Sequence, residues 1–264
     1  MNTLKRKHND EEPVFAPLLL HVPHASLGIP EDIRGELLPE DLSPELLRMT
    51  DRFCDELFLG PWDMIKAPVS RLVCDMERFR DDNDEIMAKM GMGAVYTRCA
   101  DGSVLRELDP ERREAVLRRF YDPHHEKLTK SVLSRCEEHG YCLIVDGHSF
   151  SPVPLPHEGD QNPDRCDFCI GTDPFHTPRS LALHMKAFCE ERGYSVELDR
   201  PFSGTMVPMA CYQKDPRVLS VMLEINRRLY MDENGEKTKN FSVVREFVFQ
   251  WICELMKEAV LLHR

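Results

Sequence analysis

Two histidines stand where an α/β protein places its chemistry. Tyr141-Cys142-Leu143-Ile144-Val145 is a short apolar run after Gly140, and Asp146-Gly147-His148-Ser149 follows at once. Such a run reads as a buried central strand, and open α/β sheets bind ligands just beyond their strands' carboxyl ends. An Asp-x-His delivered there can put an imidazole on a metal while the Asp orients the ring. Pro17-Leu18-Leu19-Leu20-His21-Val22 reads as the first buried strand, with Pro23-His24-Ala25-Ser26 after it. His24 therefore occupies the same kind of position as His148.

A metal held by two histidines usually takes a carboxylate as its third ligand. Residues 44–59 have helical spacing and stop at Gly60-Pro61, which places Asp51 and Asp55 one turn apart on one face. Either can serve. Residues 218–226 read as another buried strand with Glu224 near its end, and a carboxylate in so apolar a run is costly unless paired or functional. Arg71 and Arg78 flank a short apolar segment, 71–75, expected as a strand. Beside a metal, their guanidinium forks can hold a carboxylate or polarise a carbonyl. Asp199-Arg200-Pro201-Phe202-Ser203-Gly204 reads as a compact turn in which Gly204 lets backbone approach a ligand. Two histidines, one carboxylate, arginines and a glutamate are the parts of a mononuclear zinc hydrolase. The ligands leave a fourth position open, an arginine can stabilise an oxyanion, and Glu224 can move protons.

The elements that must position these groups alternate between strand and helix. Further strands are expected at 168–173 and 194–198, and helices from Asp109-Pro110 to Gly140, over 178–192, and over 242–262. Pro123 should kink or divide the first of these helices. The pattern implies an α/β domain whose central sheet is mixed and largely parallel, with flanking helices. The Pro-rich passage 151–163 should form a wall or lid over the site, and Met90-Gly91-Met92-Gly93-Ala94 a loop near it. Residues 1–16 read as a loose N-terminal arm and 17–264 as one domain.

Composition limits the possible partners. A net charge of −12 argues against a nucleic-acid binder. No apolar run is long enough to span a bilayer, and the polar start lacks a signal peptide's apolar region, so a cytoplasmic location is expected. Ten cysteines then read as reduced packing residues. Cys166 and Cys169 belong with them, because no second pair follows at zinc-finger spacing.

Six segments, in order between residues 22 and 231, together resemble the N-formylglutamate amidohydrolase family. They are Val22-Pro23-His24-Ala25-Ser26, Thr50-Asp51 through Phe58, Arg71 through Arg78, Asp146-Gly147-His148-Ser149, Arg200-Pro201-Phe202-Ser203-Gly204, and Leu223-Glu224-Ile225-Asn226 through Met231. The resemblance implies a zinc-carboxypeptidase-like fold shared with aspartoacylases, a Zn2+ ion, and hydrolysis of an N-acyl amino acid, N-formylglutamate or a close analogue. It implies His24, Asp51 and His148 as zinc ligands, with Asp55 in reserve. Glu224 resembles the general base, Arg71 the oxyanion arginine, and Arg78 the anchor for a small-molecule substrate's carboxylate; Arg200 and Gly204 would also meet that substrate. The family reads Asp-Leu-Asn-Arg where this chain has Asp75-Met76-Glu77-Arg78. Glu77 puts an anion beside the carboxylate pocket, which favours another amide substrate. A non-catalytic metal-binding domain is a third reading, and the retained Glu224 and Arg71 argue against it.

Overall fold

A computed structural model describes residues 15–262. They form a six-stranded mixed sheet in the order β2-β1-β3-β6-β4-β5. β1 (Leu18–Val22), β2 (Asp63–Lys66), β3 (Cys142–Phe150) and β6 (Val218–Asn226) run parallel, and β4 (Phe168–Gly171) pairs antiparallel with β6 and parallel with β5 (Val196–Leu198). This is the mixed, largely parallel sheet expected from the sequence.

Every residue of β3 and β6 is buried, so side-chain alternation alone decides what each face carries. On one face Leu143, Val145, Leu219, Val221, Leu223 and Ile225 join the largest apolar cluster with α6 (Arg179–Glu190) and α7 (Phe241–Leu262), whose Trp251 is fully buried. On the other, Cys142, Ile144 and Val218 pack with Leu128, Val132 and Cys136 of α5 (Asp122–His139). Farther along that second face the alternate positions become Asp146, His148, Met222 and Glu224. Gly147 lies between the two polar residues on the apolar face, where a Cβ would meet the Phe58 ring at 2.9 Å.

Three local expectations are corrected. Residues 44–59 are not one helix. The segment divides into α2 (Ser43–Met49) and α3 (Cys54–Leu57), with Thr50 extended and Phe53 left-handed at φ 68. The Asp51 N–H donates to the His24 carbonyl at 3.0 Å, which turns Asp51 inward. Residues 71–75 form turns, not a strand; Arg106, 1% exposed, holds them by donating to the carbonyls of Leu72, Val73 and Tyr96. The strand expected to stop before Asp146 runs on through Phe150.

Other expectations hold. Asp109 caps α4 (Pro110–Val116), a π-helical turn over Leu117–Tyr121 leads into α5 with Pro123 in its first turn, and Gly140 ends it at φ 83. The edge strand β2 and the short α1 (Glu31–Arg34) were not foreseen. The arm expected over 1–16 lies outside the described residues except for Phe15 and Ala16; the Phe15 ring meets Trp62 edge-on at 5.2 Å. All ten cysteines are free and nine are buried, Cys166 and Cys169 among them, as packing residues should be.

Candidate active site and metal centre

His24 and His148 lie with ring centroids 5.0 Å apart on the floor of a cleft of about 560 Å3. The cleft opens at the carboxyl ends of β1, β3 and β6, with His125 from the first turn of α5 on its wall. In the sheet register His148 pairs with Glu224 and His21 with Asp146. Neighbouring residues of parallel strands face the same way, so the β3–β6 pairing itself sets Glu224 beside His148.

Carboxylates fix both imidazoles. His24 Nε2 donates to Asp75 Oδ1 at 2.8 Å, and His24 Nδ1 lies 3.7 Å from Asp51 Oδ2. His148 Nδ1 is 3.1 Å from the same Asp51 oxygen, while its Nε2 is 3.1 Å from Glu77 Oε1 and 3.3 Å from Asp146 Oδ1. Asp51 Oδ1 accepts from Arg227 Nη2 at 2.9 Å. Asp55, the reserve ligand, faces away and pairs with Lys66 at 2.8 Å. The left-handed Phe53 lies between the two aspartates and takes them off one helical face, so that of the two only Asp51 meets the histidines.

Two carboxylates thus meet the pair of rings from different edges. Ligand atoms of His24, Glu77 and His148 all lie within 4.8 Å of one another, a grouping able to hold a metal ion. That grouping engages the Nε2 edge of His148, and Glu77 Oε2 is 3.7 Å from His24 Nε2. Asp75 and Asp146 already occupy those Nε2 edges. Carboxylates in such positions orient ligand imidazoles and select their tautomer. Asp51 meets the Nδ1 edges, which leaves both orienting contacts intact.

Burial and charge set the protonation states. Burial would push the Asp51 carboxyl up, but the hydrogen bond from His148 and the proximity of His24 and Arg227 carry it well below the usual range. Asp75 behaves in the same way, held down chiefly by Arg71 against its burial. His148 is held well above its ordinary value because Glu77 and Asp146 outweigh the effect of burial. Glu224 has no such partner. Burial pushes its carboxyl up to about 8 with the His148 charge opposing, and its Oε2 is buried without a hydrogen bond.

The arginines differ sharply. Arg71 lines the cleft and is held in place by donating to Asp75 Oδ2 at 2.8 and 3.2 Å and to the Tyr96 hydroxyl at 3.1 Å. Arg78 also lines it; its guanidinium makes no hydrogen bond among the described residues and lies 3.7 Å from Asp75. Arg200, expected at the substrate, is not in the cleft. It pairs with Asp160 and Glu197 at 2.9 Å and is 41% exposed, while its neighbours Pro201 to Gly204 line the cleft instead. Gly204, at φ 89, lines the cleft as its flexibility suggested.

Several site residues had no role assigned from sequence. Arg227 is buried and joins Asp51 to Ser149 Oγ and the Arg48 carbonyl. Asp75 gathers His24, Arg71 and Tyr96 on one carboxylate. His21 and His124 continue the chain behind Asp146: His21 Nδ1 is 2.8 Å from Asp146 and His21 Nε2 is 3.0 Å from His124. A buried acid inside a motif and an arginine directly after a buried strand were the available signals for Asp75 and Arg227; His21 and His124 had none.

Comparison with known proteins identifies the family. The family model for N-formylglutamate amidohydrolase matches residues 16–231. N-formylglutamate deformylase of Pseudomonas putida is 29% identical over 232 residues, covering 82% of each chain. Among solved structures, N-formylglutamate amidohydrolase from Ralstonia eutropha superposes with a TM-score of 0.79 at 21% identity, covering 94% of both chains. A gene product from Agrobacterium tumefaciens reaches a TM-score of 0.64, also at 21% identity, covering 92% of this chain and 90% of its own. With a match running from the first strand to just past Glu224, the chain belongs to the N-formylglutamate amidohydrolase family.

Proposed function

We propose that this protein is a zinc-dependent amidohydrolase that cleaves the linear amide of an N-acyl amino acid, as in N-formylglutamate, releasing formate and the amino acid. The observation that carries the reading is the buried, unpartnered Glu224 carboxyl set beside His148 by strand register. Family membership and the reaction named for the Pseudomonas relative support it.

The donor set fits a zinc ion. Two imidazoles, each oriented from Nε2, and an ionised Asp51 facing both Nδ1 atoms are the residues that would hold it. Bound there, zinc would supply a Lewis-acid centre that makes water more acidic and polarises the amide carbonyl. Glu224 takes the proton from the attacking water and passes it to the departing nitrogen; a carboxyl titrating near neutrality suits both transfers. Arg71, held rigid by Asp75 and Tyr96, offers a fixed positive charge to the developing oxyanion. Arg78 holds the substrate's carboxylate. No helix of the described chain is long and apolar enough to cross a membrane, and with ten free cysteines a cytoplasmic site of action fits.

The test is formate release from N-formylglutamate by zinc-loaded protein, alongside Glu224→Gln. Turnover in the parent and its collapse in a folded, zinc-replete variant is the expected pair. No turnover of any N-acyl amino acid by zinc-replete parent protein would overturn the proposal.

A further inference from the structure

Two buried imidazoles behind the cleft floor take no part in the chemistry proposed above: His21 on β1 and His124 in the first turn of α5. Strand register places the first. His21 pairs with Asp146 and His148 with Glu224, so one face of three adjacent parallel strands carries all four as a continuous polar stripe. The stripe ends at α5, where the Nε2 atoms of His21 and His124 lie 3.0 Å apart. The next residue, His125, donates from Nε2 to the Met76 carbonyl at 2.8 Å, which ties the same helical turn to the segment between Asp75 and Glu77.

The acceptors fix where the protons lie. Asp146 Oδ1 is 2.8 Å from His21 Nδ1 and 3.3 Å from His148 Nε2, and its Oδ2 accepts from the Met206 N–H at 2.9 Å. A carboxylate only accepts, so His21 Nδ1 carries the proton in that contact. Burial pushes the His124 imidazole down to about 2, so this ring is neutral, with one nitrogen a donor and the other an acceptor. It satisfies His21 Nε2 in either direction of the bond between them. Among the described residues His21 makes no other side-chain hydrogen bond.

We infer that His21, locked in place by His124, is a positioning residue for the metal centre: it fixes the Asp146 oxygen that orients His148. The inference rests on the zinc site proposed above and adds the residues that set it. Oδ1 lies closer to His21 than to His148, so His21 and the Met206 N–H together decide where the carboxylate stands. A carboxylate held there keeps the Nε2 edge of His148 engaged and leaves Nδ1, the atom facing Asp51, for the ion. Without the His21 donor, Oδ1 loses a charge-assisted hydrogen bond and the carboxylate is free to turn away from the ligand. His21 acts one step farther out than the orienting carboxylate, so its loss should weaken zinc binding by about tenfold, the lower end for such partners.

Two amides at position 21 separate positioning from packing. In His21→Asn the side-chain NH2 stands near the place of Nδ1 and still donates to Asp146; in His21→Gln it stands near the place of Nε2 and faces His124 instead. Chelator competition should give parental zinc affinity for His21→Asn and a loss of about tenfold for His21→Gln. Crystal structures of the metal-free variants should show Asp146 and His148 unmoved in the first and Asp146 turned from His148 in the second. Equal zinc affinities in the two folded variants overturn the inference while leaving the zinc site standing. If the parent binds no zinc, the zinc reading fails, and the metal-free structures still decide the role of His21: the same Asp146 and His148 positions in both variants refute it. Should neither variant fold, His124→Leu tests the chain from its outer end. It should weaken zinc binding in the same direction, and parental affinity with an unmoved Asp146 refutes the inference.

Discussion

Asp75 is the place to test whether the arrangement of hydrogen bonds governs metal binding. Its carboxylate is fully buried and meets only donors. Oδ1 accepts from His24 Nε2 at 2.8 Å and the Glu77 N–H at 3.0 Å; Oδ2 accepts from Arg71 Nη2 at 2.8 Å and the Tyr96 hydroxyl at 2.6 Å. Asp75→Asn preserves shape but must turn an NH2 toward one of these pairs. Neither Arg71 nor the Glu77 N–H can accept, but the charged Arg71 donates twice to Oδ2, so the amide oxygen stays with Arg71 and the NH2 faces His24. His24 Nε2 can then accept only by moving its proton to Nδ1, the nitrogen that faces Asp51. A protonated Nδ1 cannot ligate, and loss of such an orienting carboxylate typically weakens metal binding about 10–100-fold, about 1.4–2.7 kcal/mol. The loss of the carboxylate charge facing Arg71 should lower stability as well, by about 1.5–3 kcal/mol for each charge-assisted hydrogen bond weakened. Chelator competition gives the zinc affinity, and 15N chemical shifts of the imidazoles in metal-free protein give the tautomer. A folded Asp75→Asn protein with parental zinc affinity and an unchanged His24 tautomer would refute the reasoning.

Glu224→Gln should fold, hold zinc and bind substrate while turnover falls about 10²–10⁴-fold; near-parental rates in steady-state assays would place the base elsewhere. Because the folded Glu224 carboxyl titrates near 8 instead of 4.5, its neutral form favours folding. Metal-free protein should therefore lose stability as pH rises from about 5 through 8, and urea denaturation of Glu224→Gln should lack that decline. Arg78→Ala should weaken apparent substrate binding about 10–100-fold with little change in metal content, and an unaltered KM would remove Arg78 from the substrate. Glu77→Asn should raise kcat/KM for N-formyl-L-glutamate; no change, or a loss, would show that Glu77 does not repel the second carboxylate. Arg106→Ala leaves three carbonyl acceptors without their donor, a cost of about 3 kcal/mol or more at about 1–3 kcal/mol per buried group, which a shift in denaturation midpoint would register.

The strands that build the site were legible because their composition changes abruptly where burial gives way to the cleft. β3 and β6 are continuous apolar runs ending in polar residues, and a parallel sheet buried on both faces demands that pattern. The errors arose where tertiary contacts override local pattern. Residues 44–59 are helical by spacing, but the backbone bond from Asp51 to His24 and the left-handed Phe53 divide them. The apolar run 71–75 satisfies a strand's composition equally well; the distant Arg106 takes its carbonyls and fixes it as turns. Arg200 was misplaced because a motif marks a turn as part of the cleft without showing which of its residues line it. Arg227 was missed for the converse reason, since a charged residue after a strand is ordinarily solvated. Nothing local marks it as the partner of an aspartate 176 residues away.

The charges packed around the two histidines give the arrangement its direction. Asp51, Asp75, Asp146, Glu77 and Glu224 converge on one small volume against Arg71, Arg78 and Arg227. Each arginine neutralises the carboxylate it touches: Arg227 serves Asp51, and Arg71 and Arg78 serve Asp75. Asp146 is satisfied by His21, His148 and the Met206 N–H. Glu77 and Glu224 have no arginine partner. Glu77 leans on the imidazoles, whose protons it draws on, and Glu224, buried first of all and beside Asp51 and Glu77 besides, keeps its own proton to about pH 8. A divalent cation on the Nδ1 edges would relieve both, replacing the protons of the imidazoles and lowering the Glu224 pKa toward the value a base needs. On this argument the acid–base group and the metal ligands form one electrostatic unit. If the proposed ion binds there, the strand register that sets Glu224 beside His148 would couple the protonation of Glu224 to the ion's presence.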